Sequence, residues 1–510
     1  MKWIDDQLNK ITMYRLMLYY LIAIDGIAIV FGAIGVLHYR PIDILVSTLV
    51  LVCIAWAVNY AFAKLWGIPA NAESSYITAL ILALIITPPT PSQYFSPSGI
   101  PFLAWAALFA MASKFILAIR KKHLFNPAAI ALVITAYALN QYASWWVCTL
   151  VMMPFVALGG LLVARKISRF DLVCSFLITA TLTILGFGIA NGANPLLTTW
   201  RTLAEAPVVF FAFVMLTEPL TTPPTRTLRI WYGALIGFIF APAIHVGPIA
   251  STPELALVVG NIFSYLASPK EKYILKFKEK ISTGPDTYDF VFNPDQKLKF
   301  EPGQYLEWTL GHANSDSRGN RRYFTVASSP EENEARLGIK FYPESSSFKK
   351  ALLSINPGAT IVAGQRAGDF ILPKDKHQKL VFIAGGIGIT PFRSMIKHLL
   401  ATHEERPIVL FYSNRIADEI TYKEVFDEAQ RNLKIKTVYT LTDKNSIPSH
   451  WTGYSGRLDA GMLAKEVPDY KERTFYLSGP RSMVVGFEEV LRGLGIAKKH
   501  IKTDFFPGFA

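Results

Sequence analysis

The sequence predicts an α-helical membrane domain of about ten transmembrane segments built as an inverted repeat, then a β-barrel and a doubly wound α/β domain. Three observations predict it. Residues 11 to 268 are almost continuously apolar, with runs such as Tyr19 to Val36 and Val147 to Val163 nearly free of charge. Beyond Lys270 the chain becomes lysine- and glutamate-rich, with short strand-like runs that give way near Lys379 to strands alternating with helices. Thr-Pro-Pro-Thr occurs twice in the apolar half, at 87–90 and 222–225, each time after a short apolar segment.

Taking the apolar half first, a spanning helix needs roughly 20 apolar residues. Residues 11–37, 42–66, 100–119, 145–165, 171–190 and 230–247 qualify, and shorter runs lie at 74–88, 125–141, 206–217 and 253–268. Together they place both termini on one side. Loops on that side carry Lys64, Arg120-Lys121-Lys122, Arg165, Lys166, Arg169, Arg226, Arg229 and Lys270, whereas the opposite loops carry Arg40 and Arg201. The positive-inside rule therefore expects a multi-pass protein of the cytoplasmic (inner) membrane with cytoplasmic termini. Five segments separate the two Thr-Pro-Pro-Thr copies, and an odd offset inverts the second copy. Broken segments at matching positions of inverted halves are where membrane proteins place midplane binding sites. Equally, the tetrapeptide is a common way to end a helix.

Composition narrows the function classes. A chain of 510 residues has room for about three domains, read as 1–270, 271–375 and 376–510. The net charge of +13 collects at the ends of apolar segments, which points to anionic lipid rather than nucleic acid. Cys53, Cys148 and Cys174 lie in apolar stretches without Cys-x-x-Cys spacing, so an iron–sulfur cluster held by this chain in the usual spacing is excluded. No metal site is expected. The opening segment is too long for a signal h-region.

Between 271 and 375, Tyr288–Phe292, Pro302–Glu307, Arg322–Ser328, Gly338–Tyr342 and Asp369–Pro373 read as short strands divided by turns, hence a barrel. From Lys379, Leu380–Ala384 leads into Gly385-Gly386-Ile387-Gly388-Ile389-Thr390-Pro391 and a helix from Pro391 to Leu400. Ile408–Tyr412, Thr437–Thr440 and Thr474–Leu477 supply further strands. That alternation means a parallel sheet with its ligand at the strand ends.

Arg322-Tyr323-Phe324-Thr325, the glycine loop and Ser478-Gly479-Pro480-Arg481 follow one another in the order of the ferredoxin-NADP reductase superfamily, which residues 271–510 resemble. A lone glycine loop is weak evidence; between strand and helix, in this order, it is strong. The resemblance implies an FAD-binding barrel and an NAD(P)-binding α/β domain, both cytoplasmic. It assigns Arg322 to the FAD diphosphate, Phe324 to stacking on the isoalloxazine, and Thr325 to the neighbourhood of its N5. Ser346 and Ser347 sit where relatives cradle the diphosphate. Gly385, Gly386, Gly388, Thr390 and Pro391 fit the diphosphate of NADH or NADPH. Ser478 stands where many relatives have the cysteine beside the hydride path, followed by Gly479 and Pro480, and Phe506 or Phe509 suits a ring cover. Thr325 and Ser478 are thus the candidate catalytic residues. Arg415 suits a 2′-phosphate and equally suits capping the next helix.

In the membrane half, Phe125-Asn126-Pro127-Ala128-Ala129, Leu216-Thr217-Glu218-Pro219-Leu220-Thr221, Trp231 to Gly237 and Val259-Gly260-Asn261-Ile262 resemble the NqrB/RnfD membrane flavoprotein family of sodium-translocating NADH:quinone reductases and Rnf complexes. Relatives usually have Asp at the place of Glu218. The family carries covalent flavin mononucleotide on a threonine after the Phe-Asn-Pro helix. Here the connection from Leu139 to Trp145 is short and lacks threonine, and Asn191-Gly192-Ala193-Asn194 offers Asn instead. The resemblance therefore implies a non-covalent second flavin, FMN or riboflavin, near Phe125, Asn126, Thr217, Glu218 and Asn261. Read alone, Asn126 before Pro127 is a helix N-cap and Glu218 before Pro219 a helix end.

Together these readings expect a flavoprotein oxidoreductase that moves electrons from NAD(P)H through FAD and a membrane flavin to a quinone or an extracytoplasmic acceptor, a separate flavinylated protein being one candidate. A haem-based transmembrane reductase needs paired axial ligands, and His38, His123 and His245 stand unpaired near helix ends. A redox-driven ion transporter is the remaining alternative, with no row of carboxylates in the spans to mark it.

Overall fold

The computed structural model describes residues 4, 7–8, 11–66, 72–119, 122–204, 207–247, 249–268, 272–312, 316 and 320–504. The chain divides into two compact units on either side of Ser268.

The first unit is helical. Its helices are α1 (Met13–Ala33), α2 (Pro41–Leu65), α3 (Ala72–Ile85), α4 (Ile100–Ile116), α5 (Pro127–Leu139), α6 (Met153–Ile167), α7 (Phe170–Ala190), α8 (Pro195–Ala204), α9 (Arg226–Ile239) and α10 (Pro253–Ala267). Between α8 and α9 one turn, Val208–Phe210, continues as a π-helix, Phe211–Met215. Helical structure overlies each of the ten expected segments. Among the described residues, only α1, α2 and α7 are long and apolar enough to cross a membrane by themselves, while α3, α4, α5 and α10 are shorter apolar helices. The count of ten spans is therefore coarser in the structure than in the sequence pattern.

Two further differences are physical. The span expected from 145 starts at Met153, because Ser144 and Trp145 turn back to donate their N–H groups to the Ile85 carbonyl at 3.0 and 2.9 Å. Trp145 takes a left-handed φ of 53° there, and the bonds satisfy the open end of α3. The amphipathic α8 was not expected from the sequence. Asn194, the residue in the place of a flavin acceptor, caps it by accepting from the Leu197 N–H at 3.1 Å.

Glycines set the tightest helix contacts. A Cβ at Gly233 would lie 2.8 Å from the Leu172 carbonyl and one at Gly237 2.7 Å from the Phe176 carbonyl, so α9 meets α7 backbone to backbone. Gly233 and Gly237 are four apart, the small-residue spacing by which helices approach closely in lipid. Both α5 and α10 begin with a side-chain cap and proline, Asn126-Pro127 and Thr252-Pro253, and each follows a two-residue ribbon, Ala118–Ile119 with Lys122–His123 and His245–Val246 with Ile249–Ala250.

The second unit opens with six antiparallel strands: β1 (Lys272–Gly284), β2 (Thr287–Pro294), β3 (Tyr305–Thr309), β4 (Arg321–Thr325), β5 (Ala335–Lys340) and β6 (Thr360–Ala367). Their order is β4-β3-β6-β1-β2-β5. The two edges meet where the Ala327 N–H donates to the Arg336 carbonyl at 2.9 Å, which turns the sheet into a barrel. The expected strand at 369–373 is instead an irregular connection. Gly368 ends β6 at φ 112°, Phe370 enters the next domain's core, and the Tyr476 hydroxyl caps the Ile371 carbonyl at 2.7 Å.

Six parallel strands follow, β7 (Leu380–Gly385), β8 (Ile408–Asn414), β9 (Lys436–Leu441), β10 (Tyr454–Ser455), β11 (Thr474–Ser478) and β12 (Ile501–Thr503), in the order β10-β9-β8-β7-β11-β12. Helices α11 (Ser347–Leu353), α12 (Thr390–Thr402), α13 (Lys423–Leu433), α14 (Ala460–Glu466) and α15 (Arg481–Gly493) complete the unit. Chain order reverses between β7 and β11, and ligands of such sheets bind outside the strand ends at that reversal.

Candidate functional site

Strand alternation puts Arg322 and Phe324 on one face of β4. Both pack on Phe348 of α11, the guanidinium 5.5 Å from the ring centre and the Phe324 ring at 5.8 Å. Arg322 is 6 % exposed, and its Nη2 donates to Asp316 at 2.9 and 3.2 Å. The same carboxylate accepts from the Ser347 N–H at 3.2 Å, and the Asp316 N–H donates to Ser347 Oγ at 2.9 Å. Ser346 caps α11 by accepting from Lys349 N–H. An anion of the chain itself thus sits between a guanidinium fork and a helix start, donors that suit a diphosphate. Thr325 ends β4 buried, paired across the ladder with Tyr305.

At the sheet reversal, the glycine loop and the Ser478-Gly479-Pro480 turn touch through their backbones. A Cβ on Gly388 would lie 2.5 Å from Gly479 Cα, Gly479 N and the Ser478 carbonyl; one on Gly385 would meet Met483 Sδ at 2.4 Å and Pro480 Cδ at 3.0 Å. Gly386, at φ 50°, faces open space, which leaves its backbone accessible. Thr390 and Pro391 then start α12, with proline in the first turn. The sequence-predicted residues of this loop and of Ser478 are therefore brought together.

Asp504, which the sequence reading passed over beside the tail aromatics, accepts a hydrogen bond from Ser478 Oγ at 3.2 Å. Burial pushes its carboxyl up to about 7. Phe506 and Phe509 lie outside the described residues.

A polar clamp joins barrel and sheet. Arg393 of α12, 5 % exposed, donates to the Ala327 carbonyl at 2.7 Å and pairs with both oxygens of Glu332 at 3.0 and 3.1 Å. Its guanidinium also covers the Tyr422 ring, whose hydroxyl donates to Asp289 at 3.1 Å. Arg336 pairs with the same Asp289 at 2.9 Å. Burial raises the Asp289 carboxyl above the ordinary range, against the pull of Arg393 and Arg336. Gly338 makes room for this joint: a Cβ there would lie 2.6 Å from the Tyr422 hydroxyl and 2.8 Å from Thr390 Cγ2. Arg415 leans on Glu419 at 3.4 Å with most of its side chain exposed.

In the helical unit, Asn126 Oδ1 accepts from Ala129 N–H at 3.1 Å, so it is the N-cap of α5. Its own N–H donates to Asn261 Oδ1 of α10 at 2.8 Å, and Asn261 Nδ2 donates to the Tyr232 hydroxyl at 2.9 Å. Asn126 Nδ2 reaches the Met215 carbonyl, the last of the π-helix, at 3.4 Å. Thr217 bonds back to the Phe213 carbonyl at 2.7 Å. Glu218 pairs with His123 at 3.1 Å and accepts from Thr221 at 3.2 Å. Phe125 is half-buried against the core. The structure thus links Asn126 and Asn261 directly and sets Glu218 beside His123. It also buries three carboxylates that no sequence signal marks: Glu254 under the Trp145 indole at 2.8 Å, Asp43 and Asp25.

Comparison with known proteins bears on both units. Residues 382–489 match the oxidoreductase NAD-binding domain, and residues 149–268 match the NQR2, RnfD, RnfE family. One chain thus joins a region that matches each of these two families. A flavohemoprotein of Burkholderia sp. (strain TH2) is 28 % identical over 233 residues, covering 44 % of this chain and 57 % of that one. One subunit of the Na(+)-translocating NADH-quinone reductase of Yersinia pestis (strain Pestoides F) is 30 % identical over 201 residues, covering 37 % and 49 %. The chain spans about half the length of the curated relatives it matches. Among solved structures, the Amycolatopsis cytochrome P450 reductase GcoB superposes with a TM-score of 0.42 at 22 % identity, over 47 % of this chain and 71 % of that one. The membrane family of 149–268, with the long apolar helices, makes this a membrane protein.

Proposed function

We propose that the chain is an integral membrane NAD(P)H oxidoreductase of the cytoplasmic membrane, divided at about residues 270 and 375. In this reading electrons pass from cytoplasmic NAD(P)H through FAD to a second, non-covalent flavin in the membrane unit, and on to a quinone or an extracytoplasmic acceptor. The observation that carries it is the backbone packing of Gly388 on Gly479 in the same compact unit as the Arg322–Asp316–Ser347 anion seat. Together they supply a dinucleotide turn and a diphosphate seat, on a chain whose other unit matches a membrane redox family.

Bound in the barrel, FAD supplies the ring that accepts hydride and lets electrons leave singly. Arg322 and Ser347 hold its diphosphate in place of Asp316, Phe324 lies along the ring, and Thr325 orients the N5 edge. Gly385, Gly386 and Gly388 admit the nicotinamide diphosphate to backbone N–H groups. Ser478, held by Asp504, borders the hydride path. In the membrane unit Phe125, Asn126, Thr217, Glu218 and Asn261 form the second flavin's seat at the junction of two inverted halves, with both termini cytoplasmic. A hydrocarbon core ~30 Å thick is too wide for one efficient electron hop, so crossing it needs such a carrier.

The test is the extracted cofactor content of the full-length purified protein, with NADH and NADPH oxidation read against ferricyanide and against a membrane quinone. FAD plus a second flavin without haem, and quinone reduction that survives only while both are bound, supports the reading. A single flavin reduces it to a surface diaphorase, and haem overturns it.

A further inference from the structure

Asp25 lies twelve residues into α1 and eight from its Ala33 end, about 12 Å of helix from that end. It is 6 % exposed, and both its oxygens accept from the Thr48 hydroxyl of α2 at 3.2 Å. No cation among the described residues pairs with it. A carboxylate inside a span without a counter-ion is costly enough to mark function, and it settles by binding a proton or a metal ion. The carboxylate and Thr48 offer three oxygens, too few for a hard cation that takes about six. One oxygen suffices for a proton.

Two more buried polar side chains stand on α2 between Thr48 and its near end. Ser47 is 1 % exposed, and its hydroxyl has no partner. One turn away on the same face stands Asp43, 2 % exposed and held by Arg40 through two contacts of 2.8 Å. Arg40 is itself more than half exposed. A buried hydroxyl without a partner, one helical turn from a surface ion pair and next in sequence to the residue that holds Asp25, is a candidate stop for an exchanging proton.

The helices packed on α1 are α2, α3 and α6. Their other charges, Lys64, Glu73, Arg165 and Lys166, stand in first or last turns, and Glu73 is taken by Arg15. Cys53 and Tyr60 of α2 are exposed, and Tyr20 of α1 is spent on the Val156 carbonyl. Asp25 is left facing Thr48.

We propose that Asp25 is a proton-binding site within the membrane unit, filled and emptied through Thr48, Ser47 and Asp43 from the face that carries residues 34–40. The step is Asp25–COO⁻ + H⁺ ⇌ Asp25–COOH, with no change of oxidation state. An electron entering the unit favours the protonated form, so electron passage and proton uptake reinforce one another. That coupling rests on the function proposed above; the binding does not.

Infrared titration of the full-length protein in H2O and D2O tests the binding. A protonated-carboxyl band that titrates, moves in D2O, disappears in Asp25→Asn and shifts in Asp25→Glu and Thr48→Val is expected. Its persistence in Asp25→Asn, or its absence from the wild type at every pH, overturns the proposal. Sealed proteoliposomes with an entrapped pH dye, driven by NADH and a membrane quinone, test the coupling. Asp25→Asn should cut the pH change per NADH tenfold or more and leave NADH–ferricyanide turnover unchanged; an undiminished pH change overturns the coupling. Sodium uptake that fails in Asp25→Asn replaces the proton by a metal ion and overturns the proposal. If the wild type reduces no quinone, the function above fails while the infrared band still decides Asp25.

Discussion

Arg322 carries the largest single-residue prediction. A charge-assisted contact contributes about 1.5–3 kcal/mol, so Arg322→Ala should weaken FAD binding roughly ten- to hundred-fold, read by equilibrium dialysis of the purified protein. Arg322→Lys keeps the charge but loses the fork and should fall between. Asp504 gives a pH prediction. Its carboxyl sits at about 7 when folded against ~3.9 in an unfolded chain. The folded state therefore binds that proton more tightly, and the stability this contributes is full below the unfolded value and lost as pH rises toward 7. Asp504→Asn should flatten the fall of the thermal midpoint across that window, followed by flavin fluorescence. Arg322, Phe324, Thr325 and Ser478 could be singled out in the sequence because each belongs to a short motif with fixed strand register. Asp316, Asp504 and Asp25 were not, since each matters through a partner brought to it only by the fold.

At the scale of elements, glycine spacing decides what touches. Gly388→Ala would push a methyl into the backbone of the facing turn at 2.5 Å, and backbone yields poorly. Overpacking of this kind costs about 1–3 kcal/mol, so KM for NAD(P)H should rise roughly ten-fold or more while bound FAD stays constant. Gly237→Leu should part α9 from α7 and lower the thermal midpoint of the detergent-solubilised chain, since a side chain there meets the Phe176 carbonyl at 2.7 Å. The parallel sheet was legible from buried runs such as Leu380–Ala384. By contrast, β1 escaped notice although Tyr273, Leu275 and Phe277 alternate with lysines, because the lysines masked its apolar face. The run from 369 to 373 misled in the opposite way: its alternation serves a linker that lends Phe370 to a neighbouring core. Segment 145–152 looked like helix because apolar composition does not distinguish a buried turn from a span.

At the scale of the molecule, the two halves were legible from composition alone, since lipid and water select different surfaces. What composition could not supply was length: among the described residues, α3, α4, α5 and α10 are apolar but shorter than the three helices long enough to cross. The joint between barrel and sheet leads to a last prediction. Glu332, Arg393, Asp289 and Tyr422 are screened from salt by burial, so Arg393→Ala should lower NAD(P)H oxidation with ferricyanide as electron acceptor several-fold at any ionic strength. Arg393→Lys should recover little, having one point charge for a forked contact.

That joint has a consequence for ancestry. Because barrel and sheet are tied by bonds wholly inside residues 289–422, the register of the two domains is set within this one stretch of chain. A piece that carries its own alignment tolerates a change in whatever is joined to its N-terminal edge.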